Sequence, residues 1–184
     1  MSTIEQYIDQ RWSPRAFDQK MVTDDILNEL FSAAGRAPSS NNEQPWRFII
    51  GKKGTDTYDT IYQSLVDFNQ AWSKTAPILV IGIVKKTFSK NGESNSHAAY
   101  DLGAAVAHLT MKAFEHQLFV HQMGGFDRNM CNTSFKLSDD FETIVAFTIG
   151  YMGDKKQLHP KIEALEKGVS GRKPLSEIMY TQAF

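Results

Sequence analysis

The spacing of apolar and polar residues along the chain predicts helices and strands in a mixed order. Apolar residues recur at helical spacing over residues 23–34. Residues 97–117 predict the longest helix. It is small or apolar around most of its circumference, so we expect it to be buried in the core or in a subunit interface. The continuous apolar run of residues 78–84 predicts a central strand covered on both faces. Shorter β-rich runs predict strands at residues 46–50, 118–122 and 141–151.

Two shorter helices complete the predicted elements. One begins at the capping-box pair Ser2 and Glu5 and is expected to end before the Ser-Pro pair at residues 13–14. Another is expected to carry the apolar residues of segment 58–68. Helices on both sides of a small sheet predict one three-layer α+β domain over residues 1–184. After the last strand, few core residues are expected before Leu175, Ile178 and Met179.

Composition narrows the classes of function. The chain has 184 residues, with 20 basic and 21 acidic side chains and a formal net charge of −1, which argues against nucleic-acid binding through bulk charge. The longest apolar run, residues 76–84, is far shorter than the roughly 20 residues of a membrane span. No secretory signal is visible, and the single cysteine, Cys131, cannot form an internal disulfide. We therefore expect a cytoplasmic protein that binds neither nucleic acid nor membranes.

Residue types that bind metals or act as nucleophiles are present without the spacing that such sites require. The five histidines lack a zinc-ligand motif, and Cys131 has no base partner evident in the sequence. The glycine-rich motifs of dinucleotide-binding and phosphate-binding loops are also missing. We therefore expect no metal site and no nucleophilic side chain.

Four polar or basic clusters remain. Residues 11–15 (RWSPR) place two arginines and a serine at a turn, and these side chains suit a phosphate monoester. Residues 37–46 (APSSNNEQPW) carry amides that suit a heteroaromatic ring edge or a polyol. The glycines of residues 123–127 (MGGFD) permit close approach of a ligand to the backbone, although a plain turn explains them equally well. Residues 171–175 (GRKPL) add a basic pair.

In this order the clusters resemble the motifs of the nitroreductase family of flavin oxidoreductases. The Asp-x-Gly-x-Ala sequence of residues 101–105 adds to the resemblance, which covers nearly the whole chain and is most specific at residues 38–46. It implies a three-layer α/β/α nitroreductase-like fold, with a mostly antiparallel central sheet flanked by helices. It also implies a homodimer that binds FMN at the subunit interface, with residues of both subunits in each site.

The resemblance assigns the FMN-binding residues. The first and last clusters would hold the phosphate and ribityl chain, Asn42 would contact the isoalloxazine, and the glycine turn would lie near its N5 edge. The loop residues 38–40 would approach from the other subunit. The implied set is Arg11, Trp12, Ser13, Arg15, Pro38, Ser39, Ser40, Asn42, Gln44, Met123, Gly124, Gly125, Arg172 and Lys173. Phe68 and Trp72 are candidates for lining the acceptor site, although core packing also accounts for Phe68.

The implied activity is that of an FMN-dependent oxidoreductase. NADH or NADPH would reduce the flavin in a ping-pong cycle, and a nitroaromatic, quinone or activated alkene would then be reduced. Because the flavin carries this chemistry, no catalytic side chain is implied. A non-catalytic FMN carrier or redox sensor, a specialised flavin chemistry and a flavin-free structural domain remain as alternatives. The chain departs from the family at Trp12, often a basic residue there, and at Gln-Leu-Phe of residues 117–119, often Gly-Leu-Gly.

Overall fold

In the computed structural model, which describes residues 4–182, the strands form one antiparallel sheet. The strands are β1 (Trp46–Lys52), β2 (Ile78–Lys85), β3 (Leu118–Met123) and β4 (Phe141–Tyr151). Their order across the sheet is β1-β2-β4-β3, and each neighbouring pair is antiparallel. The α-helices of the described residues are α1 (Ile4–Gln10), α2 (Asp24–Ala34), α3 (Asp56–Ser64), α4 (Asp67–Ser73), α5 (Ala98–Glu115), α6 (Arg128–Ser134) and α7 (Pro160–Glu163). The predicted N-cap Ser2 lies outside these residues.

Strand β2 is buried on both faces, because alternate side chains of a strand point to opposite sides of the sheet. One set enters a core cluster with α2 and α5, through Ile78, Val80 and Val84. The other set enters a second cluster with α3, α4 and α6, through Leu79, Ile81 and Ile83. The predicted α+β fold, an antiparallel sheet between helices, is therefore confirmed.

One local prediction was wrong, and one helix was not predicted. The single helix expected over residues 58–68 is two helices, because Leu65 and Val66 are extended, with ψ of 145° and 152°. Leu65 instead forms an isolated β-bridge with Phe126. Helix α6 was not among the predicted elements; its N-cap Asp127 accepts a hydrogen bond from the backbone N–H of Met130 (2.9 Å).

The chain after β4 contributes to the core in a different place from the predicted one. Leu158 and Ile162 are buried against the second core cluster. The residues expected to be buried are instead among the most exposed apolar side chains: Leu175 at 67%, Ile178 at 61% and Met179 at 63%. The sequence could not distinguish these cases, because each is a short apolar group in a polar segment. No helix within residues 4–182 has the length and hydropathy to cross a bilayer.

Helix α5 has one buried face and one open face. Leu102, Val106 and Leu109 pack into the first core cluster. The opposite face is small and exposed at Gly103 and Ala107. The core half of the prediction for this helix is confirmed, and burial of the other face in a subunit interface remains a prediction.

Candidate functional site

The first and last predicted clusters meet in space, although they lie at opposite ends of the chain. Together they line a cavity of about 290 Å³, here called the basic cavity. Its lining residues are Arg11, Trp12, Ser13, Arg15, His121, Leu165, Lys167, Gly168, Ser170 and Arg172. The segment after α1 therefore forms one wall, and the tail after α7 forms another.

The loop of residues 11–15 is attached to the sheet by backbone and side-chain hydrogen bonds. Downstream of it, Gly153 donates its backbone N–H to the carbonyl of Ala16 (2.9 Å), beside the β-bridge of Phe17 with Met152. His121, on β3, donates its Nδ1–H to the carbonyl oxygen of Pro14 (2.9 Å). The carbonyl can only accept, so this contact fixes the proton on Nδ1 when the imidazole is neutral.

A buried carboxylate holds Arg15. The Glu166 side chain is only 2% exposed. It accepts hydrogen bonds from the backbone N–H of Arg15 (3.0 Å) and from Nη1 of its guanidinium (3.3 Å). The Arg15 Nε–H is buried and has no partner. Arg15 is thus charge-compensated, yet it retains a free donor at the wall of the basic cavity, as an anion site requires.

The other cations of the basic cavity have no carboxylate partner among residues 4–182. Arg11 Nη1 reaches only the Ser13 hydroxyl, at 3.4 Å. Arg172 Nη1 donates to the carbonyls of Ser170 and Gly171, at 2.8 and 3.0 Å. Lys167 is exposed and forms no ion pair within the described chain. Guanidinium and ammonium groups that converge without carboxylates suit a phosphate dianion.

A second cavity, of about 380 Å³, opens beside the basic cavity and is called here the α1–α5 cavity. It shares Arg11, Ser13 and Arg172 with the basic cavity, so the two adjoin. Apolar and aromatic side chains of α1, α5 and β3 form most of its remaining wall: Tyr7, Ile8, Ala107, Met111, Phe114 and Val120. An apolar space next to a cationic one suits a planar ring that carries a phosphate.

The second cluster is a tightly structured loop. Asn41, Asn42 and Gln44 have positive φ, of 52°, 56° and 51°. Ser40 donates its backbone N–H to the buried carboxylate of Asp101 on α5 (3.0 Å). The loop residues do not line the basic or the α1–α5 cavity within the described chain. Their predicted role in a site shared between subunits therefore stays a prediction.

The glycine turn has two different environments. A Cβ on Gly124 would meet nothing within 4 Å. A Cβ on Gly125 would lie 2.9 Å from Val66 Cγ2 and from Asn69 Nδ2, and Asn69 donates to the Gly125 carbonyl (2.9 Å). Packing against α4 therefore explains Gly125. Neither these glycines nor the buried Met123 lines the two cavities, although Gln122 lines the α1–α5 cavity.

Two candidate residues need correction. Trp72 has no exposed surface; it packs against Phe17 and, at 4.4 Å between ring centroids, against His121. It is therefore a core residue and not part of a substrate wall. Lys173 does not line the basic cavity and pairs with Glu177 at 3.6 Å. Phe68 is 49% exposed and remains a candidate.

Sequence reasoning missed three residues of the site. Lys167 and Glu166 stand in a polar tail that carries no motif, so only the folded chain shows their positions. His121 was weighed only as a metal ligand. Its alternation with the buried Val120 on β3 was the available signal that it faces the other side of the sheet. Among residues 4–182, no group of His, Cys, Asp and Glu side chains has the geometry of a metal site.

Comparison with known proteins shows which proteins the chain resembles in sequence and in fold. Residues 8–65 match the sequence model of the nitroreductase family. A solved oxidoreductase containing FMN superposes with a TM-score of 0.92 at 28% identity, covering 100% of this chain and 93% of that one. Within residues 8–65 the chain is therefore similar to the nitroreductase family, and its fold is that of the FMN-containing oxidoreductase. The match to residues 8–65 includes the first two predicted clusters.

Two further proteins are similar to the chain, one in fold and one in sequence over a short segment. A nitroreductase family protein from Clostridium difficile 630 shares the fold with a TM-score of 0.76 at 23% identity, over 100% of both chains. An Archaeoglobus fulgidus protein, provisionally named an NADH dehydrogenase/NAD(P)H nitroreductase, is 40% identical over 40 residues, which are 22% of this chain and 23% of that protein. The nitroreductase fold thus extends over the whole described chain, while sequence similarity is highest in short segments.

Proposed function

We propose that this chain is an FMN-dependent oxidoreductase of the nitroreductase family. It would take electrons from NADH or NADPH and pass them to an electron-poor small molecule such as a quinone, nitroaromatic or activated alkene. The observation that carries the proposal is that two cavities, one cationic and one largely apolar, adjoin at Arg11, Ser13 and Arg172. FMN has one part for each, a phosphate and a planar ring.

The residues present fit this cofactor. Arg11, Lys167 and Arg172 supply cations without carboxylate partners, and Arg15 supplies a buried donor without an acceptor. Tyr7 and Phe114, whose ring centroids lie 4.9 Å apart, give the neighbouring cavity an aromatic wall that excludes water from one side of a bound ring. When bound, FMN supplies the hydride-transfer chemistry, so the chain needs no nucleophile of its own.

We also propose that the chain acts as a homodimer and that a partner copy completes each site. Three surfaces support this: Ile4 and Ile8 on α1, the open face of α5, and the tail at Leu175 and Ile178 all expose apolar side chains. The α1–α5 cavity lies between two of these surfaces. A second copy covering it would bring additional residues to the ring, as is expected of Pro38, Ser39, Ser40, Asn42 and Gln44.

An anaerobic absorbance experiment tests the proposed activity. The protein is loaded with FMN, and NADH or NADPH is added in the absence of oxygen, followed by a quinone or a nitroaromatic. We expect the flavin absorbance near 450 nm to bleach with the nicotinamide and to recover with the acceptor. Bound flavin that neither nicotinamide bleaches would identify a carrier or sensor instead. Absence of flavin binding at excess FMN would contradict the proposal altogether.

A further inference from the structure

A third cavity, of about 470 Å³, adjoins the basic cavity and is called here the outer cavity. Trp12, Lys167 and Gly168 line both, so the two cavities adjoin at the Trp12 side chain. The outer cavity and the α1–α5 cavity have no lining residue in common. The basic cavity therefore lies between an apolar space on one side and the outer cavity on the other. The volume of the outer cavity lies within the range of about 300–1,000 Å³ that small-molecule sites occupy.

The aromatic wall of the outer cavity is available for stacking. Trp12 is half-buried, and within the described chain its indole takes part in no ring pair, cation–π contact or side-chain hydrogen bond. Stacking of a nucleic-acid base on an aromatic side chain contributes about 1–3 kcal/mol.

The charges around the outer cavity favour an anion longer than one phosphate. Lys155 lines the outer cavity, and Lys167 lies between the two cavities; neither forms an ion pair within the described residues. Of the acidic lining residues, Glu166 is occupied by Arg15, and Asp154 accepts the backbone N–H of Lys156 (2.9 Å). Arg11 and Arg172 line the basic cavity and not the outer one, while Lys155 lines the outer cavity and not the basic one, so only a ligand that extends beyond one phosphate could contact all three.

We propose that the outer cavity is an adenylate subsite, so that this chain binds FAD as well as FMN. The diphosphate would lie in the basic cavity, and the adenine would stack on Trp12. Lys155 would contact the adenylate half only, because it lines the outer cavity and not the basic one. This inference rests on the proposed flavin function.

Flavin titrations of the full-length, flavin-free protein test the proposal. Quenching of flavin fluorescence gives the Kd of FMN and of FAD, and chromatography of the bound flavin confirms that FAD remains intact. We expect FAD to bind at least as tightly as FMN. Weaker binding of FAD than of FMN overturns the adenylate subsite but leaves the proposed function standing. If neither flavin binds, the proposed function fails as well.

Variants locate the adenylate. We expect Trp12→Ala to raise the Kd for FAD about tenfold relative to the Kd for FMN, and Lys155→Gln to raise it about threefold. The neighbouring Lys156→Gln is the matched control and should leave the ratio of the two constants unchanged. Damage to the fold would weaken both flavins alike, so the ratio reports the subsite alone. An unchanged ratio of the FAD and FMN dissociation constants in Trp12→Ala overturns the proposal. This holds also if Trp12→Ala weakens the binding of NADPH to the FMN-loaded protein.

Discussion

The imidazole of His121 contacts the loop of residues 11–15, which forms one wall of the basic cavity. Its Nδ1–H donates to the Pro14 carbonyl, and its ring lies 4.4 Å from that of Trp72. Burial lowers the pKa of His121 below its ordinary value of about 6.5, with nearby Arg15 acting in the same direction. The carbonyl of Pro14 and the carboxylate of Glu166 oppose this shift without cancelling it. The folded protein therefore favours the neutral imidazole.

This preference predicts a loss of stability on acidification. As the pH falls from about 7 to 5, the unfolded chain takes up a proton on His121 while the folded chain resists it, so the free energy of unfolding decreases. In His121→Asn, whose amide can still donate to Pro14, we expect a smaller decrease over the same range. Urea unfolding at several pH values measures both. Equal decreases in the two proteins would show that His121 does not contribute.

Arg15 and Glu166 show how far a residue's role can be predicted from its type. The spacing of residues 11–15 predicts an anion site, and the structure places Arg15 at the wall of the basic cavity; its contact with a phosphate stays a prediction. Its carboxylate partner could not be expected, since Glu166 is one of several acids in a polar tail. The physical reason is that ion pairs between distant segments depend on the path of the backbone, which side-chain chemistry does not encode locally.

The glycine turn after β3 separates a packing requirement from a ligand requirement. Gly125 lies against Val66, the N-cap of α4, and Asn69 in its first turn, where a methyl group would approach both to 2.9 Å. Gly124, one residue earlier, faces open space. Both glycines were expected to serve the flavin, but the structure gives a steric reason for Gly125 alone.

A pair of substitutions tests this difference. Gly125→Ala should lower the free energy of unfolding by about 1–3 kcal/mol, because the neighbouring side chains must shift to admit a methyl group. Gly124→Ala adds the same atoms with nothing within 4 Å and should change stability by less than about 0.5 kcal/mol. Denaturant unfolding of both variants provides the measurement. Equal losses would contradict the packing explanation.

The strands and long helices could be predicted from the sequence, because burial imposes a clear period on them. The apolar run at residues 78–84 became the buried strand β2, and the pattern at residues 23–34 became α2, with Thr23 as its N-cap. Helix α6 and the break at Leu65 could not be predicted. The break coincides with the β-bridge of Leu65 with Phe126, a contact between segments far apart in sequence, and α6 is a short polar helix without a clear apolar period.

The exposed apolar surface suggests that the described chain is one half of a larger assembly. Ile178 is 61% exposed in the tail, and Ile4 is 70% exposed on α1. Dimer interfaces that are obligate bury apolar surface of this kind, commonly more than about 2,000 Å² in total. A second copy that covers α1, α5 and the tail would remove these side chains from water.

We expect Ile178→Asp to shift the protein from dimer to monomer at low micromolar concentration, because it would bury a charge in the interface. Met21→Asp, at an exposed apolar residue outside these surfaces, is the control and should leave the dimer intact. Sedimentation velocity measures the assembly state of each. A native protein that is already monomeric would contradict the shared site.

The most direct test of the account is whether the basic cavity recognises the flavin's phosphate. Calorimetric titration of the flavin-free protein with FMN and with riboflavin compares two ligands that differ only in this group. We predict that FMN binds at least tenfold more tightly and that Arg11→Gln removes most of the difference. Arg128→Gln, which removes the same charge from a residue paired with Glu142 outside both cavities, should preserve it. Equal affinities for FMN and riboflavin in the native protein would contradict the central claim.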